Sequence, residues 1–175
     1  VLQIEIPLET VKHCIRIAHD LNKIIVLNPA PATMLNDELY PMIDFLIPNE
    51  TELEIISNRK LNSMDDIILA AKSIINKGAK NLIVTLGDKG SLYINKDNQI
   101  LIPPQKVKAI DTTAAGDSYI ASFVIAILEG KDIEQAAAFA TKVASVVVCR
   151  KGAIASIPTR EELKQIFSIG WVLYE

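Results

Sequence analysis

Leu2 to Ile6 alternates apolar and polar residues (L-Q-I-E-I), the period of a half-buried strand, and Pro7 ends it. Leu8, Val11, Ile15 and Ala18 then recur at helical spacing and predict a first helix, closed by Asn22. Ile24 to Leu27 is a continuous apolar run, read as a buried strand and halted by N-P-A-P-A at Asn28 to Ala32. Ile43 to Ile47 predicts a further short strand, stopped by Pro48. A short helix is expected from about Asn49. A longer one follows, with Ile67, Ala71, Ile74 and Ile75 on one face and Gly78 at its end. Asn81 to Leu86 reads as another buried strand, and G-D-K-G (Gly87 to Gly90) as a turn. Ser91 to Asn95 and Gln99 to Ile102 flank K-D-N and predict an antiparallel hairpin. Two alanine-rich helices, about Ala115–Glu129 and Ile133–Cys149, are apolar nearly all round, a pattern that predicts burial rather than a surface position. T-R-E-E, Thr159 to Glu162, is a capping-box pattern and opens a last helix.

Strands that alternate with helices predict right-handed crossovers. The expected fold is α/β: a three-layer sandwich with a mostly parallel sheet, helices on both faces and an antiparallel hairpin. Residues 1–175 are expected to form a single α/β domain, with no internal repeat and no low-complexity linker. In such sheets ligands bind beyond the carboxyl ends of the strands. Glu5, Asn28, Asn49, Gly87 and Asp111 all fall at or just after predicted strand ends, so polar residues gather where a site belongs.

Composition narrows the function. Half of the 175 residues are apolar and 22% are charged, which fits a well-cored globular protein and excludes a disordered one. A net charge of −3, with scattered lysines and no basic stripe, gives no reason to expect nucleic acid or an anionic membrane as partner. Cys14 and Cys149 match no metal or redox spacing, which points to a reduced, cytoplasmic protein. The longest apolar run, Ile120 to Leu128, is interrupted by Ser122 and is far too short to span a bilayer, and no signal-peptide pattern is seen. The chain opens on Val1 inside a strand pattern, which leads us to expect a fragment.

The candidate chemistry centres on D-T-T-A-A-G-D, Asp111 to Asp117. Ala114, Ala115 and Gly116 carry no bulk, so a ligand can approach their backbone, and the unpaired N–H groups opening the following helix form an anion cradle. A carboxylate beside a bound phosphate is repulsive, so pure phosphate binding does not call for Asp117. Phosphoryl transfer does, because a group must accept the proton of the attacking hydroxyl. The competing reading has Asp117 complementing the helix dipole and Gly116 permitting tight packing. N-E-T-E (Asn49 to Glu52) reads first as a helix cap, with the alternative of a Glu52 carboxylate aimed through water at magnesium on nucleotide phosphates. T-L-G-D-K-G (Thr85 to Gly90) ends a strand in a glycine turn and lacks the P-loop spacing. No G-x-G-x-x-G occurs, which counts against a dinucleotide oxidoreductase. Glu5 reads as the solvent-facing member of its strand. His13 and His19, six apart on one helix, do not share a face and suggest no metal. R-K-G-A-I-A-S, Arg150 to Ser156, reads as a basic helix end with a glycine cap.

In their order along the chain, L-Q-I-E-I-P, L-N-P-A-P-A, P-N-E-T-E, V-T-L-G-D-K-G, D-T-T-A-A-G-D and R-K-G-A resemble the carboxyl-terminal half of the ribokinase-like (PfkB-type) carbohydrate kinases. L-N-P-A-P-A with A-A-G-D favours the ribokinase branch of that family over its fructokinase and adenosine kinase branches. Phe167 to Glu175 carries no such match. The resemblance implies ATP-dependent phosphorylation of D-ribose at its 5-hydroxyl. Asp117 is then the catalytic base, and the backbone of Ala114, Ala115 and Gly116 the anion hole for the γ-phosphoryl group. Asn49 and the turn residues Thr85, Gly87, Asp88 and Gly90 would contact ATP, as would Gly116. Thr141 stands where relatives often place histidine or asparagine beside the adenine. By the same likeness Glu52 places Mg2+ through water and Glu5 binds the ribose. Asp111 and Ser156, with main-chain carbonyls of Thr113, Val147, Arg150 and Gly152, match a K+ site. The resemblance further implies that the amino-terminal lid and sugar-binding part lies outside this chain, and that the full-length protein is a homodimer. Two alternatives stay open: a kinase for another sugar or a nucleoside, and a nucleotide-binding fragment without catalysis.

Overall fold

Four short strands, β1 (Leu2–Gln3), β2 (Val26–Asn28), β3 (Phe45–Leu46) and β4 (Asn81–Thr85), lie side by side in chain order and all run parallel in the computed structural model, which describes residues 1–168. The hairpin strands β5 (Ser91–Asn95) and β6 (Gln99–Ile102) extend the same sheet, whose order is β1-β2-β3-β4-β5-β6, and supply its antiparallel pair. The α/β class, the mostly parallel sheet and the hairpin are as the sequence predicts. Of the unmatched tail, residues 169–175 lie outside the described residues.

The chain divides into two compact units, Val1–Leu86 with Leu92–Leu101, and Gly87–Ser91 with the chain from Ile102 onward. The first holds nearly all of the sheet together with α1 (Leu8–Asp20), α2 (Glu50–Ser57) and α3 (Met64–Asn76). Leu27, Leu46, Leu82 and Val84 of the strands are buried with Val11 and Ile15 of α1, Leu53 and Ile56 of α2, and Ile67 and Ile74 of α3. Each such side chain contributes roughly 1.5–3 kcal/mol by leaving water. Asn22 closes α1 as expected, in the left-handed conformation with φ 53°.

The strands are shorter than their apolar runs, because other groups capture the ladder's donors. Asp44 Oδ2 takes the Ile25 N–H at 2.7 Å, so pairing starts at Val26 and Ile24 is exposed. Ile4 N–H donates to the Ala30 carbonyl at 2.8 Å, so β1 stops at Gln3 and residues 4–6 bend; Glu5 therefore lies in an exposed bend rather than within a strand. Ile43 N–H closes the preceding 3₁₀ turn on Tyr40 O, leaving only Phe45–Leu46 in β3.

In the second unit, α4 (Ala115–Leu128) packs on α5 (Ile133–Val148), and α6 (Arg160–Ser168) follows. Thr159 and Glu162 form the reciprocal cap that T-R-E-E predicts, with bonds of 2.7 and 3.2 Å. Burial of α4 is one-sided: Tyr119, Ile120, Phe123 and Ala126 are buried, while Ile125 and Leu128 are exposed at its far end. An apolar helix need bury only the face its neighbour covers, and periodicity does not count the neighbours.

Candidate active site

In the first unit, the residues that follow β2, β3 and β4 converge. Asn49 caps α2, accepting the Glu52 N–H on Oδ1 at 2.8 Å, while Glu52 Oε2 accepts the Asn49 N–H at 2.8 Å and Oε1 accepts from Asn49 Nδ2 at 2.9 Å. The capping reading of N-E-T-E is thus realised in full. It also orients a carboxylate, so the cap and a metal role are compatible. Burial pushes the Glu52 carboxyl above its ordinary range, against hydrogen bonds from Asn49 and Asn28. A parallel bridge pairs Asn49 with Thr85, whose N–H donates to Pro48 O at 2.9 Å, so two candidate nucleotide contacts stand side by side. Glu5 sits just past β1 at the carboxyl side of the parallel strands, facing solvent.

The second unit holds the remaining candidates. Gly87–Lys89 form a 3₁₀ turn, with Gly87 and Asp88 exposed and Gly90 buried. Gly90 adopts φ 93°, and a Cβ there would stand 2.1 Å from the Ile102 carbonyl, so the turn folds tightly on the backbone beside it. From Asp111 the chain turns into α4. Asp111 Oδ1 accepts from the Thr113 hydroxyl at 2.7 Å and the Thr113 N–H at 3.0 Å, and Oδ2 accepts the Gly152 N–H at 2.9 Å. Those bonds, the Thr113 hydroxyl first, draw the Asp111 carboxyl down to about 2 and keep it ionised. They also tie the start of the loop to the segment after α5, a junction repeated by Ile110 N–H on Val148 O at 2.7 Å.

Ala114 caps α4 in the left-handed conformation, φ 62°. A non-glycine residue there costs about 1–3 kcal/mol, a kind of strain that gathers at functional sites. Its neighbour Gly116 has open space where a Cβ would be, and Asp117 follows, exposed, in the first turn of α4. A loop without bulk and a carboxylate in the first helical turn therefore occur together, while the Ala115 N–H donates to the Thr112 carbonyl at 3.2 Å.

Thr141 lies buried in α5 and donates its hydroxyl to Ala137 O at 2.9 Å. The Tyr119 phenol bonds Ser91 at 2.8 Å, and burial pushes it up to about 12. Beyond α5, Arg150 pairs with Glu162 at 3.3 Å, Gly152 has φ 91°, and the buried Ser156 donates to Ala153 O at 2.6 Å. The Val147 carbonyl accepts the Arg150 N–H at 3.0 Å.

Among the described residues no three acidic, histidine or cysteine groups cluster as metal ligands. Glu52 offers one oriented, half-buried carboxylate, the donor type that a hydrated magnesium ion takes. The Asp111 carboxylate, ionised and bonded by the Thr113 hydroxyl and the Thr113 and Gly152 N–H groups, is a hard oxygen donor. Asn28 is the residue to which sequence reasoning assigned no role. It is buried at the end of β2 and bonds both Ile47 O and Glu52. The signal was a lone amide closing an otherwise apolar strand.

Residues 1–160 match the pfkB family of carbohydrate kinases. The chain is 39% identical over 170 residues to a deoxyribokinase from Salmonella typhi, covering 97% of this chain and 56% of that protein. It is 42% identical over 161 residues to a ribokinase from Haemophilus influenzae, covering 92% and 53% respectively. Among solved structures, the Arabidopsis thaliana ribokinase complexed with ribose and ATP superposes with a TM-score of 0.89 at 32% identity, over 94% of this chain and 54% of that one. The chain spans about half the length of the curated relatives it matches.

Proposed function

This chain belongs to the pfkB family of carbohydrate kinases, and from that premise we propose that it is the nucleotide-binding and catalytic part of an ATP-dependent pentose kinase, acting on D-ribose to give ribose 5-phosphate. The observation that carries this reading is the loop Ala114–Gly116 opening α4, with Asp117 in its first turn. In this mechanism Asp117 accepts the proton of the sugar's primary hydroxyl as that oxygen attacks the γ-phosphorus. The bond from phosphorus to the bridging oxygen of ADP breaks, and the N–H groups of the loop receive the charge that spreads over the equatorial oxygens. Asn49, Thr85 and the Gly87–Gly90 turn, with Asp88, hold the nucleotide, and Thr141 lines the adenine by shape, its hydroxyl being bonded to Ala137. Glu5 binds the sugar. Glu52 would hold the water shell of magnesium carried on the nucleotide, and that ion would supply neutralisation of phosphate charge. Asp111 and Ser156, with the main-chain carbonyls of Thr113, Val147, Arg150 and Gly152, would hold potassium, whose charge would order the loop and the end of α5. The full-length protein is read as a cytoplasmic homodimer.

A second acceptor is favoured by one finding, the 39% identity to a deoxyribokinase. The two sugars differ by one hydroxyl. A site built to hydrogen-bond that hydroxyl rejects the analogue lacking it by roughly 10⁴-fold or more, whereas a site that merely tolerates the hydroxyl discriminates by about 10²-fold or less. Measuring ADP release by the full-length protein with D-ribose, 2-deoxy-D-ribose and a phosphosugar decides between them. We expect kcat/KM highest for D-ribose; preference for the deoxy sugar reassigns the acceptor, and turnover with neither pentose removes the reading.

A further inference from the structure

Asn28 closes β2 and is only 7% exposed, and a buried amide has to find partners. Its Nδ2 donates to the Ile47 carbonyl at 2.9 Å and lies 3.4 Å from Glu52 Oε2. Its Oδ1 accepts from Gln3 Nε2 at 3.4 Å, which ties the same amide to the neighbouring strand β1. Ile47 stands two residues ahead of Asn49, so a single amide grips both the backbone that enters the cap of α2 and the carboxylate that completes it. The Asn49 bonds alone fix Glu52 to its own helix. Asn28 fixes it to the sheet.

Resting on the assignment of Glu52 to the nucleotide's magnesium, we propose that Asn28 is the positioning residue of that site: its amide holds the Glu52 carboxylate and the entry of α2 in the orientation that receives the metal's water shell. The chemistry is specific to an amide. Aspartate at the same place would set a carboxylate against two acceptors, the Ile47 carbonyl and Glu52, and alanine would leave both without the donor. Partners of direct metal ligands are worth typically 10–100-fold in metal affinity; Glu52 reaches the ion through water, so the contribution of Asn28 lies at the low end of that range.

The test is a calorimetric titration of the full-length protein with a non-hydrolysable ATP analogue, in EDTA and across a magnesium series. Asn28→Ala is expected to raise the magnesium concentration needed for half-maximal tight binding by about 10-fold, within the range for outer-shell partners, and to leave affinity in EDTA unchanged. Glu52→Gln is expected to do the same, and the double variant to be no worse than Glu52→Gln alone, because both act on one carboxylate. Asn28→Ser keeps a small polar group at the end of β2 but is too short to reach Glu52; it guards against a folding failure and is expected to show the same magnesium shift. If the Asn28 variants lose affinity equally with and without magnesium, or add to Glu52→Gln, Asn28 only supports the fold and the proposal is overturned. Should Glu52→Gln shift magnesium while neither Asn28 variant does, the proposal alone fails. An unchanged magnesium dependence in Glu52→Gln removes the Glu52 assignment, and with it the role of Asn28.

Discussion

Asp117→Asn is expected to cut kcat for sugar phosphorylation by about 10²–10⁴-fold, the contribution of a well-placed general base, with nucleotide affinity nearly unchanged. The substitution keeps the shape of the side chain in the first turn of α4 and removes only its capacity to take a proton. The rival role, complementing the helix dipole, makes a different forecast: a loss of about 0.3–1 kcal/mol in stability with turnover intact. Steady-state kinetics and thermal unfolding on the same variant therefore separate the two. Turnover equal to that of the parent protein would remove Asp117 from the chemistry. The neighbouring residues sharpen the comparison. Gly116 leaves open space at the loop surface, and Ala114 is held at φ 62°.

Gly90→Ala is expected to destabilise the protein by about 3 kcal/mol or more, the combined cost of overpacking and a strained backbone. Two causes act together. The residue adopts φ 93°, where an L side chain is strained, and its Cβ would stand 2.1 Å from the Ile102 carbonyl and 2.9 Å from Pro104 N. Both obstacles are backbone atoms, so no side chain can swing aside. Gly87→Ala is the matching control: φ is 59°, but nothing lies within 4 Å of the added carbon, so only the left-handed cost of about 1–2 kcal/mol applies. Urea unfolding of the two variants checks the difference, and equal losses would mean that the close approach at Gly90 relaxes at no cost. Because Gly90 ends the G-D-K-G turn, its displacement is also expected to weaken ATP binding.

What was legible in the sequence was the chemistry carried by short spacings. The caps at Asn49–Glu52 and Thr159–Glu162, the hairpin Ser91–Ile102 and the start of α4 depend on residues within a few positions of one another, and the structure forms each of them. Strand lengths were not legible, because they depend on distant competitors: Asp44 takes the Ile25 donor, and Ala30 takes that of Ile4. The helical pattern of α4 described its apolar surface but not which neighbour would cover it, so Ile125 and Leu128 lie exposed where burial was expected. The left-handed Ala114 had no signal, since alanine rarely adopts that conformation. For Asn28 the sequence marked the place but not the role, which emerges only when β2 meets the entry to α2.

The proposed mechanism requires on this chain a nucleotide site with a magnesium carboxylate and a potassium-ordered loop. A calorimetric titration of the 175-residue chain with a non-hydrolysable ATP analogue and magnesium, in potassium buffer and then in sodium buffer, tests it most directly. Saturable binding that requires magnesium and is tighter in potassium is the expected result. Absence of binding in both buffers would contradict it.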